Sequence, residues 1–536
     1  MSKKTKSFVA GAAVLGIIGL IVKVIGAVFR IPLGNVIGSV GMANYQAAYP
    51  VYAALVVIST AGLPTAISRM VSERVAVDDY KGAHKVFIMA FRVLLIVGIV
   101  TTGVMLLISK SVAIGVKIPT AYLSLMMIAP ALFFVSILSA YRGYFQGLQM
   151  MWPTAVSQLI EQVVKLAAGL YLAQLMLPRG VEYGAAGALI GITLSEVVAL
   201  LFVVIVYQFK RGGLKEKRAM LPNVPYQAKR SIGMDLLVIA LPIALGGCIM
   251  PAINIADTAI VTRSLMSIGY LEEAAQAKFG VLTGFVNPLI NMPAVLSIAL
   301  CMSLVPAISA ARAQKDNQLV SLRSAMGLKL ALLIGLPCAV GMFILAEPII
   351  RLLYGGSLSA DEILLGTQLL QTLSLGVFFL TLLQTMTGIL QGAGHQFVPL
   401  VNLAIGAGVK IILSIVLIRI PSLNVHGAAI GTAACYGIAA ILNTLYVIRF
   451  TKPKVKPAKD VLMPLVATAA MGGAAFLAYH QLSGSMGNTK AALIAIVAAG
   501  VVYFALLLLT GGLRLSDIRE ISGRRGSSGA ASGGVE

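Results

Sequence analysis

Residues 145–153 read FQGLQMMWP, and residues 390–399 read LQGAGHQFVP. The likeness continues downstream. Val164-Lys165-Leu166 follows the first stretch at the spacing, to within one residue, at which Val409-Lys410-Ile411 follows the second. Gly184-Ala185-Ala186-Gly187 then faces Gly427-Ala428-Ala429. Upstream, Pro64-Thr65-Ala66-Ile67-Ser68 faces Pro306-Ala307-Ile308-Ser309. One such match between apolar segments would be chance. Four in the same order, at an offset of about 240–246 residues, indicate an internal duplication.

The repeated material is apolar. Of 536 residues, 59% are hydrophobic and 11% charged, with a mean hydropathy of +0.94. A soluble domain carries about 25% charged residues to face water, so most of this surface faces lipid. Apolar runs of spanning length recur near 8–29, 42–68, 86–109, 119–141, 153–177, 184–208, 234–262, 279–309, 327–347, 363–390, 398–418, 427–448, 460–482 and 490–510. The repeat offset spans six of them. Six is even, so both copies enter the membrane in one direction, related by a pseudo-twofold along its normal. The expected fold is an all-α membrane protein of about fourteen transmembrane helices. It divides into an N-lobe at 1–209, a basic linker at 210–233, a C-lobe at 234–450, two spans outside the repeat at 451–510, and a Gly/Ser-rich tail at 511–536 that reads as disordered. Spans 2, 7, 8 and 10 run long, which predicts tilts or breaks.

The formal charge is +22. With the N-terminus placed in the cytoplasm, the inner segments hold about 27 of the 41 Lys and Arg and the outer loops about nine, as the positive-inside bias requires. Loop 209–233 alone has Lys210, Arg211, Lys215, Lys217, Arg218, Lys229 and Arg230. Anionic inner-leaflet lipid is therefore the expected partner of this charge, and nucleic acid is not. Lys3, Lys4 and Lys6 before an apolar run imitate a signal peptide. That run is too long, contains Lys23 and lacks a small-residue cleavage site, so it reads as a retained first helix. The expected location is the cell membrane, as a multi-pass protein.

Enzyme chemistry finds little support. No GxxxxGK[ST] stretch occurs. Cys248, Cys301, Cys338 and Cys435 each lie alone in apolar runs, without metal-ligand spacing. His84, His395, His426 and His480 are too dispersed for a metal or a relay. No outer loop is long enough to form a catalytic domain. The expectation is a transporter without cofactor or metal, and with no catalytic residue.

The informative residues are polar ones inside apolar spans, where an ionisable group costs about 2.5–3.5 kcal/mol at the bilayer centre. In span 5, Ser157, Glu161 and Lys165 fall at i, i+4 and i+8, with Gln158 and Gln162 beside them. Lipid cannot neighbour that face. Glu161 and Lys165 have the spacing of an ion pair, which reads either as glue between helices or as the wall of a wet cationic cavity. Lys410 at the repeat-matched position favours the cavity. Span 1 carries Lys23 and, two turns on, Arg30. Lys23 lies deeper, while Arg30 reads equally as a snorkelling interfacial residue. Span 7 has Asn254, Asp257 and, near its outer end, Arg263. Asp257 is a candidate counter-ion for a cavity lysine, a cation site or a proton carrier. Span 8 sets Thr283, Asn287 and Asn291 on one face, with Pro288 and Pro293 as expected breaks. Tyr45, Tyr49 and Tyr52 in span 2 read first as packing or an interfacial belt. Glu196 in span 6 and Arg92 in span 3 fit structural roles. The excess of cations predicts a cavity suited to an anionic, phosphate-bearing substrate.

Residues 142–165, RGYFQGLQMMWPTAVSQLIEQVVK, resemble the signature of the SpoVB/MurJ-like polysaccharide-biosynthesis branch of the MATE-like flippase superfamily of Gram-positive bacteria. NIADTAIVTRSL at 254–265 and GLPTAISRMVSE at 62–73 are similar to the family's spans 7 and 2. The resemblance covers essentially the whole chain. It implies two six-helix lobes around a central cationic cavity, with spans 13 and 14 forming a groove for a polyprenyl tail. It also implies a flippase for lipid II or another undecaprenyl-diphosphate-linked sugar, with cell-wall synthesis enzymes as possible partners. Lys23 and Arg30 stand where the family has basic residues in span 1, and Glu161, Lys165 and Asp257 match residues of the Gram-positive branch. Gram-negative members carry arginines in spans 2 and 8; here those regions hold Tyr49-Pro50 and Asn287-Pro288, so Lys165 and Lys410 are the expected substitutes. The alternatives are a MATE-type drug or cation exporter, which would want a net acidic cavity, and a Wzx-type flippase for another lipid-linked oligosaccharide.

Overall fold

A computed structural model describes residues 3–60, 62–220, 233, 234, 236, 238, 240, 244 and 247–512. Most of the basic linker, parts of the first half of span 7 and the tail from 513 onward lie outside the described residues. The described residues form helices and turns, with no strand. Eleven helical runs among them are long and apolar enough to cross a membrane. Two of these runs are hairpins. Helix α1 (Lys3–Thr60) is interrupted at Gly38, with φ 67° and ψ −173°. A straight helix would part Arg30 and Tyr49 by about 28 Å, yet the Arg30 guanidinium carbon is 5.6 Å from the Tyr49 ring centroid. The chain thus reverses at Gly38, where only glycine takes this conformation without strain, and spans 1 and 2 lie side by side.

Helices α2 (Leu63–Ala76), α3 (Tyr80–Gly115), α4 (Ala121–Gly147), α5 (Trp152–Met176) and α6 (Val181–Met220) follow. The long span 2 breaks at Gly62, ahead of Pro64, and α2 continues it. The Asp79 carboxylate caps α3 by accepting from the Gly82 amide at 2.7 Å. Beyond the linker come α7 (Ile249–Ser267), α8 (Glu272–Gly280), a π-helical turn (Val281–Val286) and α9 (Asn287–Ala313). The break expected at Pro288 and Pro293 lies upstream of both, in the π turn. Pro288 has no amide to donate to the preceding turn, and the wider π turn absorbs the defect. Both prolines then sit inside α9. The chain closes with α10 (Asn317–Ile344), α11 (Ala346–Tyr354), α12 (Ala360–Gly392), α13 (Phe397–Ile418), α14 (His426–Thr451) and α15 (Met463–Leu509). A capping box starts α12: the Ser359 amide donates to Glu362 at 2.9 Å, and the Glu362 amide to the Ser359 hydroxyl at 3.3 Å.

Two compact units result. The first contains residues 1–295, 353–373 and 400–439. Its α2–α3–α4–α6 core centres on Phe87, whose ring lies 4.5 Å from Tyr144, 5.2 Å from Tyr141 and 5.5 Å from Tyr207. Helices α5 and α6 approach so closely that a Cβ on Gly191 would lie 2.3 Å from the Gly169 Cα. Contact of this kind replaces the hydrophobic drive that lipid does not supply. The second unit contains residues 296–352, 374–399 and 440–536. Here α15 reverses at Gly487 (φ 74°, ψ 167°), so spans 13 and 14 are its two arms. Both pack on α10 through Leu333, Met471, Ala475, Ala499 and Tyr503. The Tyr503 hydroxyl donates to the Leu333 carbonyl at 2.8 Å, and Lys329 meets Asp460 at 3.6 Å.

Candidate functional site

Two polar cavities lie within the first unit. Cavity one, about 220 Å³, is bounded by Arg30, Gln46 and Tyr49 of α1, Asn254 and Asp257 of α7, Thr283 of the π turn, Asn287 and Asn291 of α9, Lys410 of α13, and Thr432 and Tyr436 of α14. Small residues let these elements meet. A Cβ on Gly280 would lie 1.9 Å from the Ser39 carbonyl oxygen, and one on Gly284 2.5 Å from the Met42 Cβ. Beside them the Gln46 amide donates to the Thr283 carbonyl at 2.7 Å. The buried Lys410 donates to the Asp257 carboxylate. Of the three roles open to Asp257, counter-ion, cation site or proton carrier, this contact is the geometry of the first. Asn291, also lining the cavity, donates to the Asn287 carbonyl one turn back at 2.8 Å.

Cavity two, about 390 Å³, is bounded by Tyr49, Tyr52 and Thr60 of α1, Ser139, Arg142 and Gln146 of α4, Thr154, Gln158 and Glu161 of α5, and Glu196 of α6. Arg142 organises it. Its Nε donates to Ser157 at 2.9 Å and its Nη2 to Glu161 at 3.0 Å. The ion pair that i,i+4 spacing suggests, Glu161 with Lys165, is not the one formed. A planar guanidinium serves a hydroxyl and a carboxylate at once, which an ammonium on a flexible stem does less well. Lys165 turns instead to aromatic faces, 5.4 Å from the Phe29 centroid and 5.6 Å from that of Tyr49. Arg30 approaches the same Tyr49 ring, which stacks on Tyr45 at 5.6 Å. Tyr49 therefore borders both cavities and takes two cations.

Arg30, Lys410, Asp257, Asn254, Asn287 and Asn291 come together in cavity one, and Glu161 and Gln158 in cavity two. Gln162 is buried, with its amide 3.3 Å from Glu161. Arg30 is cavity-lining rather than merely interfacial. Lys23, the deeper candidate in sequence, is exposed and lines neither cavity. Arg263 is exposed too; its Nε donates to the Gly115 carbonyl at 2.8 Å, closing the end of α3. Arg142 falls between the apolar runs 119–141 and 153–177, so run length alone leaves it outside the spans. The signal was available: Ser139, Arg142 and Gln146 fall at i, i+3 and i+7, one face of a helix that runs on to Gly147. The lining charges also differ between cavities, with two cations and one acid in the first, and one cation and two acids in the second.

A bundle of apolar helices that hides ionisable groups in such cavities is a multi-pass membrane protein of the cell membrane. Residues 8–312 match the family described as polysaccharide biosynthesis protein, and the chain belongs to that family. Residues 242–416 also match the MatE family. The chain is 30% identical over 544 residues to the lipid II flippase MurJ of Bacillus subtilis (strain 168), covering 96% of each chain. It is 29% identical over 523 residues to stage V sporulation protein B of the same organism, covering 97% of this chain and 98% of that one. Among solved structures, it superposes on lipid II flippase MurJ in an inward closed conformation with a TM-score of 0.64 and 16% identity, covering 92% of this chain and 98% of that one. An inward-facing MATE-family multidrug resistance transporter gives a TM-score of 0.65 at 18% identity, covering 80% and 94%. These two likenesses speak to the fold.

Proposed function

We propose that this chain is a flippase that moves an undecaprenyl-diphosphate-linked cell-wall precursor, lipid II in the first instance, from the inner to the outer leaflet by alternating access. Cavity one carries the reading: Arg30 and Lys410, with the amides of Asn254, Asn287 and Asn291, line a space inside a membrane bundle. Cations and polar side chains in place of water suit a diphosphate, whose charges need replacement for water on entering the membrane. The near full-length similarity to a protein named lipid II flippase supports the same substrate class.

In this reading the repeat-related lobes, 1–209 and 234–450, rock about the cavity, with the N-terminus in the cytoplasm. The isoprenoid tail stays in lipid, and the spans of 451–510 guide it. Anionic lipids contact the basic inner loops, and cell-wall synthesis enzymes receive the product. A cationic empty cavity returns inward down the membrane potential, worth about 2.3 kcal/mol per charge per 100 mV. The test is depletion of the protein in its host. Lipid-linked precursor should accumulate on the inner side, and the gene should rescue a strain stripped of its lipid II flippases. Normal precursor distribution after depletion, together with failed rescue, would refute the substrate.

The acids of cavity two favour a second reading, a drug or cation exporter of the MATE type. Lys165→Glu separates the two. A flippase should lose function, whereas a cation exporter should keep it.

A further inference from the structure

Glu196 of α6 lines cavity two and is 3% exposed. Its Oε2 has no hydrogen-bond partner among the described residues. The two other charged groups lining the cavity are joined to each other: Arg142 holds Glu161 at 3.0 Å. Tyr52 of α1, Arg142 of α4, and Glu161 and Lys165 of α5 are the titratable and charged groups facing Glu196 from the elements packed against it.

An ionised Glu196 would keep a bare oxygen in a wall of low dielectric, next to a carboxylate that has already taken the nearby guanidinium. A neutral carboxyl avoids that arrangement. The Glu196 side chain borders a polar space large enough for several waters, with which its carboxyl can exchange a proton. We propose that Glu196 is a proton-binding site, reached through cavity two, which loads and unloads as Arg142 shifts its partner from Glu161 to Glu196. On unloading, the O–H bond of the Glu196 carboxyl breaks and the proton passes to cavity water. The carboxylate left behind is met by Arg142, which stays protonated throughout. The site changes charge by one unit per cycle, which makes the proton the coupling ion of the transport proposed above. Only the coupling rests on that proposal; the binding site stands on its own geometry.

Infrared spectroscopy of the purified full-length protein across a pH series tests the site. The wild type should show a protonated-carboxyl band that titrates. Glu196→Gln should abolish it, and Glu196→Asp should keep it at a displaced frequency, which separates loss of the site from loss of the fold. Spectra unchanged by both substitutions, or a band that responds to sodium instead of pH, would overturn the proposal. In proteoliposomes, the flipping rate should change by up to about tenfold per pH unit across the titration and become insensitive to an imposed proton gradient in Glu196→Gln. A gradient-indifferent wild type that still flips would overturn the coupling. A titrating band in a protein that flips nothing would sustain the proton site and sink the flippase reading.

Discussion

Lys410 and Asp257, 153 residues apart in the chain, form an ion pair whose side chains keep only 10% and 18% of their exposure. Neither charge has water enough to stand alone there. Removing one partner of such a pair costs about 3–5 kcal/mol, while removing both together costs far less. Asp257→Ala should therefore lower thermal stability in detergent strongly, and Asp257→Asn combined with Lys410→Met should recover most of the loss. Additive losses in that double variant would refute the pairing as a stability element. Transport should fail in both, because cavity one has lost its buried cation or the means of holding it.

Arg142 should tolerate no lysine. Its fork reaches Ser157 and Glu161 together, and an ammonium does not reproduce that geometry. Arg142→Lys and Arg142→Ala should impair transport alike, with Arg142→Ala the less stable by about 3–5 kcal/mol if Glu161 stays ionised. Full activity in the lysine variant, measured by flipping in proteoliposomes, would contradict this.

Tyr49 is predicted to act through its ring. Tyr49→Phe should keep substrate affinity. Tyr49→Leu should weaken it, since each cation–ring contact with Arg30 and Lys165 contributes about 0.5–2 kcal/mol. A double-mutant cycle of Tyr49→Leu with Lys165→Met reads the coupling directly, and no coupling energy would sink the assignment.

The two kinds of glycine should respond differently. A Cβ at Gly38 meets nothing within 4 Å, so Gly38→Ala should cost only the strain of its extended positive-φ backbone, about 1–3 kcal/mol, and still fold. Gly191→Val forces α5 and α6 apart at Gly169, and should abolish folded expression. Size-exclusion profiles and melting curves of the two variants distinguish strain from steric exclusion.

A good deal of this was legible in the chain. Span number, the break in span 2 and the family all follow from apolar run length and from the motif at 142–165, because lipid demands long uninterrupted helices and satisfies no backbone group itself. The hairpins at Gly38 and Gly487 hide two turns inside single helical runs, and the fourteen spans of the sequence reading remain consistent with the eleven runs once those reversals and the partly described span 7 are taken into account. Helical spacing also picked out some of the lining groups, Asn287 and Asn291 in cavity one and Gln158 and Glu161 in cavity two among them, since polar groups at such spacing in apolar spans must face something other than lipid.

Which of those residues meet was decided by tertiary structure. Spacing along α5 offers Glu161 to Lys165, but the competing partner, Arg142, comes from another helix, and no local pattern ranks an i,i+4 contact against it. Depth in the sequence favoured Lys23 over Arg30, whereas the reversal at Gly38 carries Arg30 to Tyr49 and leaves Lys23 outside the cavities. The duplication at FQGLQMMWP and LQGAGHQFVP marks equivalent positions, Lys165 and Lys410 among them, yet one lysine lies against aromatic rings and the other against Asp257. Sequence by itself determined what must be kept from lipid, because the cost of a polar group in hydrocarbon belongs to each residue. Partner choice belongs to pairs of residues brought together from distant segments, and only the packed helices decide it.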